Sequence, residues 1–206
     1  MTTPTEWMKD EYNDLVSKGF DWKPPVITGA SSARCIIDGT EKIMLCANNY
    51  LNLSTHPKVR QAAKDAVDTH GAGSGSVRPI AGNMDIHNQL EESIARFKNR
   101  EAALYYQTGF AVNSGLIPQL AGKNDAIISD QLNHGSIIDG VRLSGVKKEN
   151  RTIYLHNDMG SLEDQLKTMT KKCDKTLVIS DGVFSMDGDI APLDEITKLA
   201  REYGAM

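Results

Sequence analysis

The amino-acid sequence predicts an α/β protein with a mostly parallel sheet that helices cover on both faces. From residue 84 onward, short apolar runs alternate regularly with segments of helical periodicity. In addition, the stretch Ala126–Arg142 reads as a buried strand, a loop and a helix in direct succession. Strands that follow one another through helices form parallel sheets, which are covered on both faces.

Residues 1–55 are predicted to form an N-terminal helix and β-ribbon segment. The helix is expected over Glu6–Lys18 and ends at Gly19, and a Pro-containing connector follows it. Short strands are predicted over Val26–Thr28, Arg34–Ile37 and Lys42–Cys46. A turn at Asp38-Gly39 joins the last two strands, and such a small ribbon needs another surface to pack on.

Residues 56–206 are predicted to be the first part of a larger α/β domain. The predicted helices are Pro57–His70, Met84–Lys98, Gly109–Leu120, Ser136–Leu143, Met159–Met169 and Leu193–Glu202. The predicted strands are Ala102–Tyr106, Ala126–Ser129, Thr152–Leu155 and Thr176–Ser180. The sequence stops at residues 204–206, just past a helix, so we expect a further buried strand to follow.

Composition excludes several classes of function. The formal net charge of −4 gives no reason to expect a nucleic acid or an anionic membrane as partner. No apolar run approaches the length of a membrane span, and the polar N-terminus is not a secretory signal. The three cysteines, Cys35, Cys46 and Cys173, are widely spaced, and this spacing predicts free thiols in a reducing compartment such as the cytoplasm. Each is expected to be a small buried apolar residue.

Three predicted strand ends carry residues suited to chemistry. Thr108 and Gly109 begin a helix whose first N–H groups suit a phosphate. His134 lies in the loop after a buried strand, where ligands of open α/β sheets bind, although a solvated histidine that caps the next helix fits as well. The third loop, residues 181–189, is acidic, but it does not match a calcium-binding pattern, so no metal is predicted. Together the three ends favour a phosphorylated aromatic cofactor.

Several motifs make the resemblance to a known family specific. They are CANNYLNLSTHP, HGAGSGSVRPIAGNMDIHNQLE, QTGFAVNSG, ISDQLNHGSIIDGVRLS and DGVFSMDGDIAPLDEI. The chain resembles the N-terminal half of the α-oxoamine synthases, which are pyridoxal-phosphate enzymes of fold type I. One departure is Asn52, where the family usually has glycine, and we expect it to alter a turn more than the chemistry.

The resemblance implies roles for individual residues. Gly109 and Phe110 would donate backbone N–H groups to the cofactor phosphate, and His134 would stack on the pyridine ring. Ser185 would bond the phenolic oxygen of pyridoxal 5'-phosphate, and Asn48 would contact the carboxylate of the amino acid. The loop 74–78 would reach toward the partner subunit of a homodimer. Candidates for acyl-CoA contacts are Ser129, Lys23, Lys147 and Lys148.

The resemblance also implies an activity. The spelling CANNY and Val77 favour glycine C-acetyltransferase, which joins glycine to acetyl-CoA and releases 2-amino-3-oxobutanoate and CoA. The alternatives are 8-amino-7-oxononanoate synthase, which uses alanine and a pimeloyl thioester, and a non-catalytic fragment that only dimerises. In the family, the lysine that binds the cofactor, an aspartate and an arginine lie beyond Met206. We therefore expect these 206 residues alone to be inactive.

Overall fold

A computed structural model describes residues 3–206, which fold into two compact units, one extending to Asp85 and the other spanning Ile86–Met206. The helices are α1 Glu6–Ser17, α2 Pro57–His70, α3 Asp85–Phe97, α4 Gly109–Leu120, α5 Gly135–Leu143, α6 Met159–Lys172 and α7 Leu193–Glu202. The strands are β1 Ile27–Thr28, β2 Arg34–Ile37, β3 Thr40–Ile43, β4 Ala126–Asp130, β5 Arg151–Tyr154 and β6 Thr176–Ile179. Among residues 3–206, no helix is long and apolar enough to cross a membrane.

The first unit contains an antiparallel sheet with the order β1-β2-β3. The predicted turn at Asp38-Gly39 is confirmed, and both residues have positive φ, as a two-residue hairpin requires. This short turn places Thr40 directly opposite Ile37. The third strand therefore begins at Thr40 and ends at Ile43, and its prediction over Lys42–Cys46 was displaced.

Asn52 occupies a turn that demands a left-handed backbone. Its φ is 51° and its ψ is 34°, a region that few residues other than glycine and asparagine adopt readily. Its side-chain oxygen also accepts a hydrogen bond from Asn49 Nδ2 at 3.2 Å. Asparagine can therefore stand in this turn without a large steric cost.

The second unit contains a parallel sheet with the order β5-β4-β6, and the backbone of Met206 pairs alongside β6. The prediction of a strand over Ala102–Tyr106 is wrong. In the described chain no strand pairs with this segment, and the N–H of Tyr105 donates instead to Glu91 Oε1 at 2.9 Å. A strand exists only where a neighbour accepts its backbone hydrogen bonds.

The core of the second unit lies on both faces of the sheet. Ala126 and Ile128 of β4 pack on one face with Leu162 and Leu166 of α6, and Ile127 packs on the other. Helices α4 and α5 contribute Ile117 and Ile137 to that second face. Because successive side chains of a strand point to opposite faces, and helices cover both faces of the sheet, residues 126–128 of this central strand are all apolar.

The two helices on the second face approach closely at Gly140 of α5. A Cβ atom there would lie 2.4 Å from the backbone oxygen of Asn113 and 2.8 Å from Ile117 Cδ1. Both contacts are far shorter than van der Waals separation, and one of them is to backbone that cannot rotate away. A glycine is therefore required for the α4–α5 packing.

We predict that Gly140→Ala lowers the free energy of unfolding by about 1–3 kcal/mol, as overpacking does in well-packed cores. Gly115→Ala in α4 is the matched control, since its Cβ would meet only Tyr106 Cε1 at 3.7 Å. That control gains helix propensity and should be neutral or stabilising by up to about 1 kcal/mol. Urea denaturation measures both variants, and equal stabilities would contradict this account of the packing.

Candidate active site

The loops after β4 and β6 enclose a cleft of about 330 Å³ at the carboxyl ends of the parallel strands. Its lining residues are Leu132, Asn133, His134, Gly135, Asp181, Phe184, Ser185, Met186 and Asp187. The structure thus brings together His134 and Ser185, which are 51 positions apart by their numbers in the sequence. This is the edge of an α/β sheet at which ligands bind.

His134 is held in one orientation by the residues around it. Its backbone N–H donates to Asp181 Oδ2 at 2.7 Å, and its ring Nδ1 accepts from the N–H of Ser136 at 3.1 Å. Nδ1 therefore carries no proton in this arrangement, and the neutral ring has its proton on Nε2. His134 caps α5, as one of the two sequence interpretations predicted, while its exposed ring lines the cleft.

Asn133, the residue before it, joins the ends of two strands. Its buried amide donates to Ser129 Oγ at 2.9 Å and to the carbonyl of Ile179 at 2.8 Å. Its Oδ1 accepts from the N–H of Asp181 at 2.7 Å. Ser129 is buried and its hydroxyl accepts this hydrogen bond, and its candidacy for an acyl-CoA contact stays a prediction.

The N-terminus of helix α4, which a hydrogen bond joins to the start of α5, has backbone N–H groups without an acceptor in residues 3–206. Thr108 Oγ1 accepts from the N–H of Ala111 at 3.0 Å, which is the predicted cap. The N–H groups of Gly109 and Phe110 donate to no group in residues 3–206, and a Cβ on Gly109 would meet nothing within 4 Å. Two unused donors at an open helix N-terminus fit the phosphate of the predicted cofactor.

A side-chain hydrogen bond ties the start of α4 to the start of α5. Asn113 Nδ2 donates to Ser136 Oγ at 2.9 Å, and this hydroxyl lies 2.7 Å from His134 Nδ1. The first turns of both helices therefore share one chain of polar contacts that ends on the imidazole. This arrangement couples the predicted phosphate donors to the orientation of His134.

The neighbouring residues Asn48 and Asn49 of the first unit have different surroundings. Asn49 is structural, since its amide nitrogen donates to Ser54 Oγ at 2.7 Å and to the carbonyl of Ser31 at 3.2 Å. Asn48 is exposed. The assignment of Asn48, rather than Asn49, to the substrate carboxylate stays a prediction.

A second polar cluster surrounds His156, just beyond β5. Its Nδ1 lies 2.9 Å from Asp130 Oδ1 and its Nε2 lies 2.5 Å from Asp189 Oδ2. The hydrogen bond to Asp189, and then that to Asp130, raises the pKa of His156 above its usual value, and the same bond lowers the pKa of Asp189. Burial raises the pKa of neighbouring Tyr154 to about 12.

Sequence reasoning placed Asn133 and Asp181 in the loops of this region but gave neither a role, and it missed His156. Each forms a hydrogen bond with a residue far away in the sequence, so no local spacing could identify its partner. The available signal was their position, since each lies in the loop that follows a strand of the parallel sheet. The prediction of free thiols is confirmed for all three cysteines, but the prediction that each is buried is wrong for Cys46, which is exposed. In the described part of the chain, no set of three ligand-type side chains is arranged to hold a metal.

Comparison with known proteins defines the class. A sequence profile of the family described as aminotransferase class I and II matches residues 40–206. The chain belongs to this family, and its second unit is part of a fold type I pyridoxal-phosphate transferase. The α/β fold with a parallel sheet and the cofactor, pyridoxal 5'-phosphate, are confirmed at the level of the family.

Curated relatives narrow the class further. The 8-amino-7-oxononanoate synthases of Alkaliphilus metalliredigens and Symbiobacterium thermophilum are 47% and 48% identical to this chain, and each alignment covers 98% of it. The same alignments cover 50% and 51% of those proteins, so the chain spans about half the length of the curated relatives it matches.

Solved structures agree with the fold. Serine palmitoyltransferase from Sphingomonas wittichii superimposes with a TM-score of 0.86 at 32% identity, over 99% of this chain and 51% of that one. An 8-amino-7-oxononanoate synthase from Francisella tularensis gives a TM-score of 0.62 at 31% identity, over 74% of this chain and 41% of that one.

These relatives confirm the resemblance to α-oxoamine synthases and correct the predicted activity. Relatives with 43% to 48% identity are 8-amino-7-oxononanoate synthases, so the prediction of glycine C-acetyltransferase is wrong. That prediction rested on Val77 and the CANNY spelling, which both lie in the first unit. Two short local signals carry less information than identity along nearly the whole chain.

We predict that Gly109→Val weakens pyridoxal-phosphate binding by about tenfold or more, because its side chain would fill the space in front of two unused N–H donors. The helix itself should form, since the site is open. Absorbance titration measures the affinity, and circular dichroism checks the fold. Gly115→Ala, inside the same helix, is the control and should bind like the wild type. An unchanged affinity in Gly109→Val would contradict the assignment.

Proposed function

We propose that the protein is an 8-amino-7-oxononanoate synthase that joins alanine to a pimeloyl thioester. The observation that carries this proposal is the 47% and 48% identity to synthases of this name along 98% of the chain. The cleft supports it, because the same loops present an imidazole and a hydroxyl beside a helix N-terminus with unused donors.

The residues present suit pyridoxal 5'-phosphate. The N–H groups of Gly109 and Phe110 would hold its phosphate, the ring of His134 would lie against its pyridine, and the hydroxyl of Ser185 would bond its phenolic oxygen. When bound, this cofactor supplies an electron sink for the α-carbon of the amino acid. The chain's own contribution is to bind and orient, with donors that are already in place before the ligand arrives.

His134 has a second capacity besides stacking. Since Nδ1 accepts a hydrogen bond from Ser136, the neutral imidazole presents an Nε2–H donor away from the helix. A fixed donor in the cleft would stabilise negative charge that develops on a substrate carbonyl oxygen. The contact of Asn48 with the substrate carboxylate and the homodimer with a shared site remain predictions of the resemblance. The cytoplasmic location remains a prediction from the cysteine pattern.

Substrate choice tests the proposal. The intact protein, loaded with pyridoxal phosphate, is given alanine with pimeloyl-CoA, and separately glycine with acetyl-CoA and serine with palmitoyl-CoA. Thiol release and mass spectrometry of the products report turnover. We expect the alanine pair to react fastest by far, and a faster reaction of either other pair would contradict the proposal. A cofactor absorbance that no amino acid shifts would favour the non-catalytic alternative.

We predict that His134→Ala lowers turnover by about 100-fold or more while cofactor occupancy falls less, as expected when an imidazole leaves a charge-stabilising position. His134→Asn is the matched control, because asparagine is a good helix cap but has no ring. If the ring matters, both variants lose turnover. If steady-state kinetics show that His134→Asn retains wild-type turnover, His134 serves α5 only as a cap.

A further inference from the structure

The loop that carries Ser185 is closed on itself at its base. The N–H of Phe184 donates to the carbonyl of Asp189 at 2.9 Å, and the N–H of Gly188 donates to the carbonyl of Phe184 at 2.7 Å. A further bond from the N–H of Ala191 to the carbonyl of Gly182, at 3.1 Å, completes the base. We call residues 182–190 the Ser185 loop. Its position relative to the sheet depends on what holds Phe184 and Asp189.

Both of these residues are held by His156. The carboxylate of Asp189 lies 2.5 Å from the ring Nε2, and the buried Phe184 ring meets the imidazole edge-on, with ring centroids 4.4 Å apart. On its other side the imidazole is anchored to Asp130 at the end of β4, whose side chain is fully buried. His156 thus connects the central strand to the base of the Ser185 loop.

Neighbouring backbone and amide groups fix the two carboxylates in place. Asp130 also accepts from the N–H of Leu132 at 2.8 Å and from the N–H of Asn157 at 3.1 Å. The side-chain amide of Asn157 donates to Asp189 Oδ2 at 3.3 Å. The imidazole therefore lies between two carboxylates, and further hydrogen bonds restrain each of them. Both carboxylates are needed to hold the two ring nitrogens.

We propose that His156 is a positioning residue, which fixes the Ser185 loop against the end of β4 and thereby holds the Ser185 hydroxyl in the cleft beside His134. The proposal rests on the proposed function, in which Ser185 contacts the cofactor. His156 itself lines no part of the cleft, so its action reaches the ligand only through the loop.

The charge on the His156 imidazole decides how firmly it fixes the Ser185 loop against the end of β4. A protonated ring donates to Asp130 and Asp189 at once, whereas a neutral ring has one N–H and leaves a lone pair facing a carboxylate. The titratable groups that face it are these two carboxylates. Because the pKa of His156 is raised in the folded protein, the ordering it provides is complete below about pH 6.5. That ordering is lost as the pH rises through the raised value.

Hydrogen exchange tests the proposal without any cofactor. The segment 181–191 is followed by mass spectrometry in the wild type, in His156→Ala and in His70→Ala. The last is the control, since His70 forms a second histidine–aspartate pair, with Asp85 at 3.0 Å, in the first unit. We expect about tenfold faster exchange of this segment in His156→Ala, with β4 and β6 unchanged. After correction for intrinsic rates, wild-type protection should fall as the pH rises above about 6.5, and this dependence should vanish in His156→Ala.

Absorbance titration with pyridoxal phosphate supplies the second readout. Affinity should fall in both His156→Ala and Ser185→Ala and remain unchanged in His70→Ala. Wild-type exchange of the loop in His156→Ala overturns the proposal. The proposal is also overturned if His156→Ala exchanges faster but binds pyridoxal phosphate with wild-type affinity, while Ser185→Ala lowers that affinity. If the wild type binds no pyridoxal phosphate, the proposed function fails, and the exchange data still decide whether His156 orders the loop.

Discussion

The side-chain amide of Asn133 is the contact on which the site depends. It crosses from the end of β4 to β6, bonding the carbonyl of Ile179 and the N–H of Asp181. An unmade hydrogen bond of a buried group costs about 1–3 kcal/mol, so this bridge strongly restricts how the two loops can separate. His134 follows Asn133 directly, and its own N–H bonds Asp181. The imidazole of His134 and the start of the segment that leads into the Ser185 loop are therefore positioned by one buried side chain.

The remaining polar groups extend this frame outward. Asn113 and Ser136 link the start of α4 to the ring of His134, and His156 links Asp130 to the base of the Ser185 loop. Catalytic contributions from orientation require such prior placement of donors, because a donor that must first be ordered loses part of its effect. The sheet supplies the fixed edge from which all of these groups project.

Much of the fold follows from the sequence, because helix caps and buried strands are local signals. Thr108 and Pro57 marked helix starts that the structure retains. The strand predicted at Ala102–Tyr106 failed, because pairing depends on a neighbour rather than on composition. The candidate cleft residues His134 and Ser185 could be proposed from strand ends and from the family resemblance. Asn133 could not, because its partners lie on another strand. The prediction of glycine C-acetyltransferase was wrong because Val77 and the CANNY motif are short local signals, whereas the identity to 8-amino-7-oxononanoate synthases extends along 98% of the chain.

The most direct test of this account is a crystal structure of Asn133→Leu, which keeps a side chain branched at Cγ and removes the bridge. The quantity to measure is the distance from His134 N to Asp181 Oδ2, which is 2.7 Å with the bridge in place. We predict that β4 and β6 keep their parallel register while this contact breaks and the two loops move apart. A retained contact of wild-type length would show that the loops are placed by something other than Asn133.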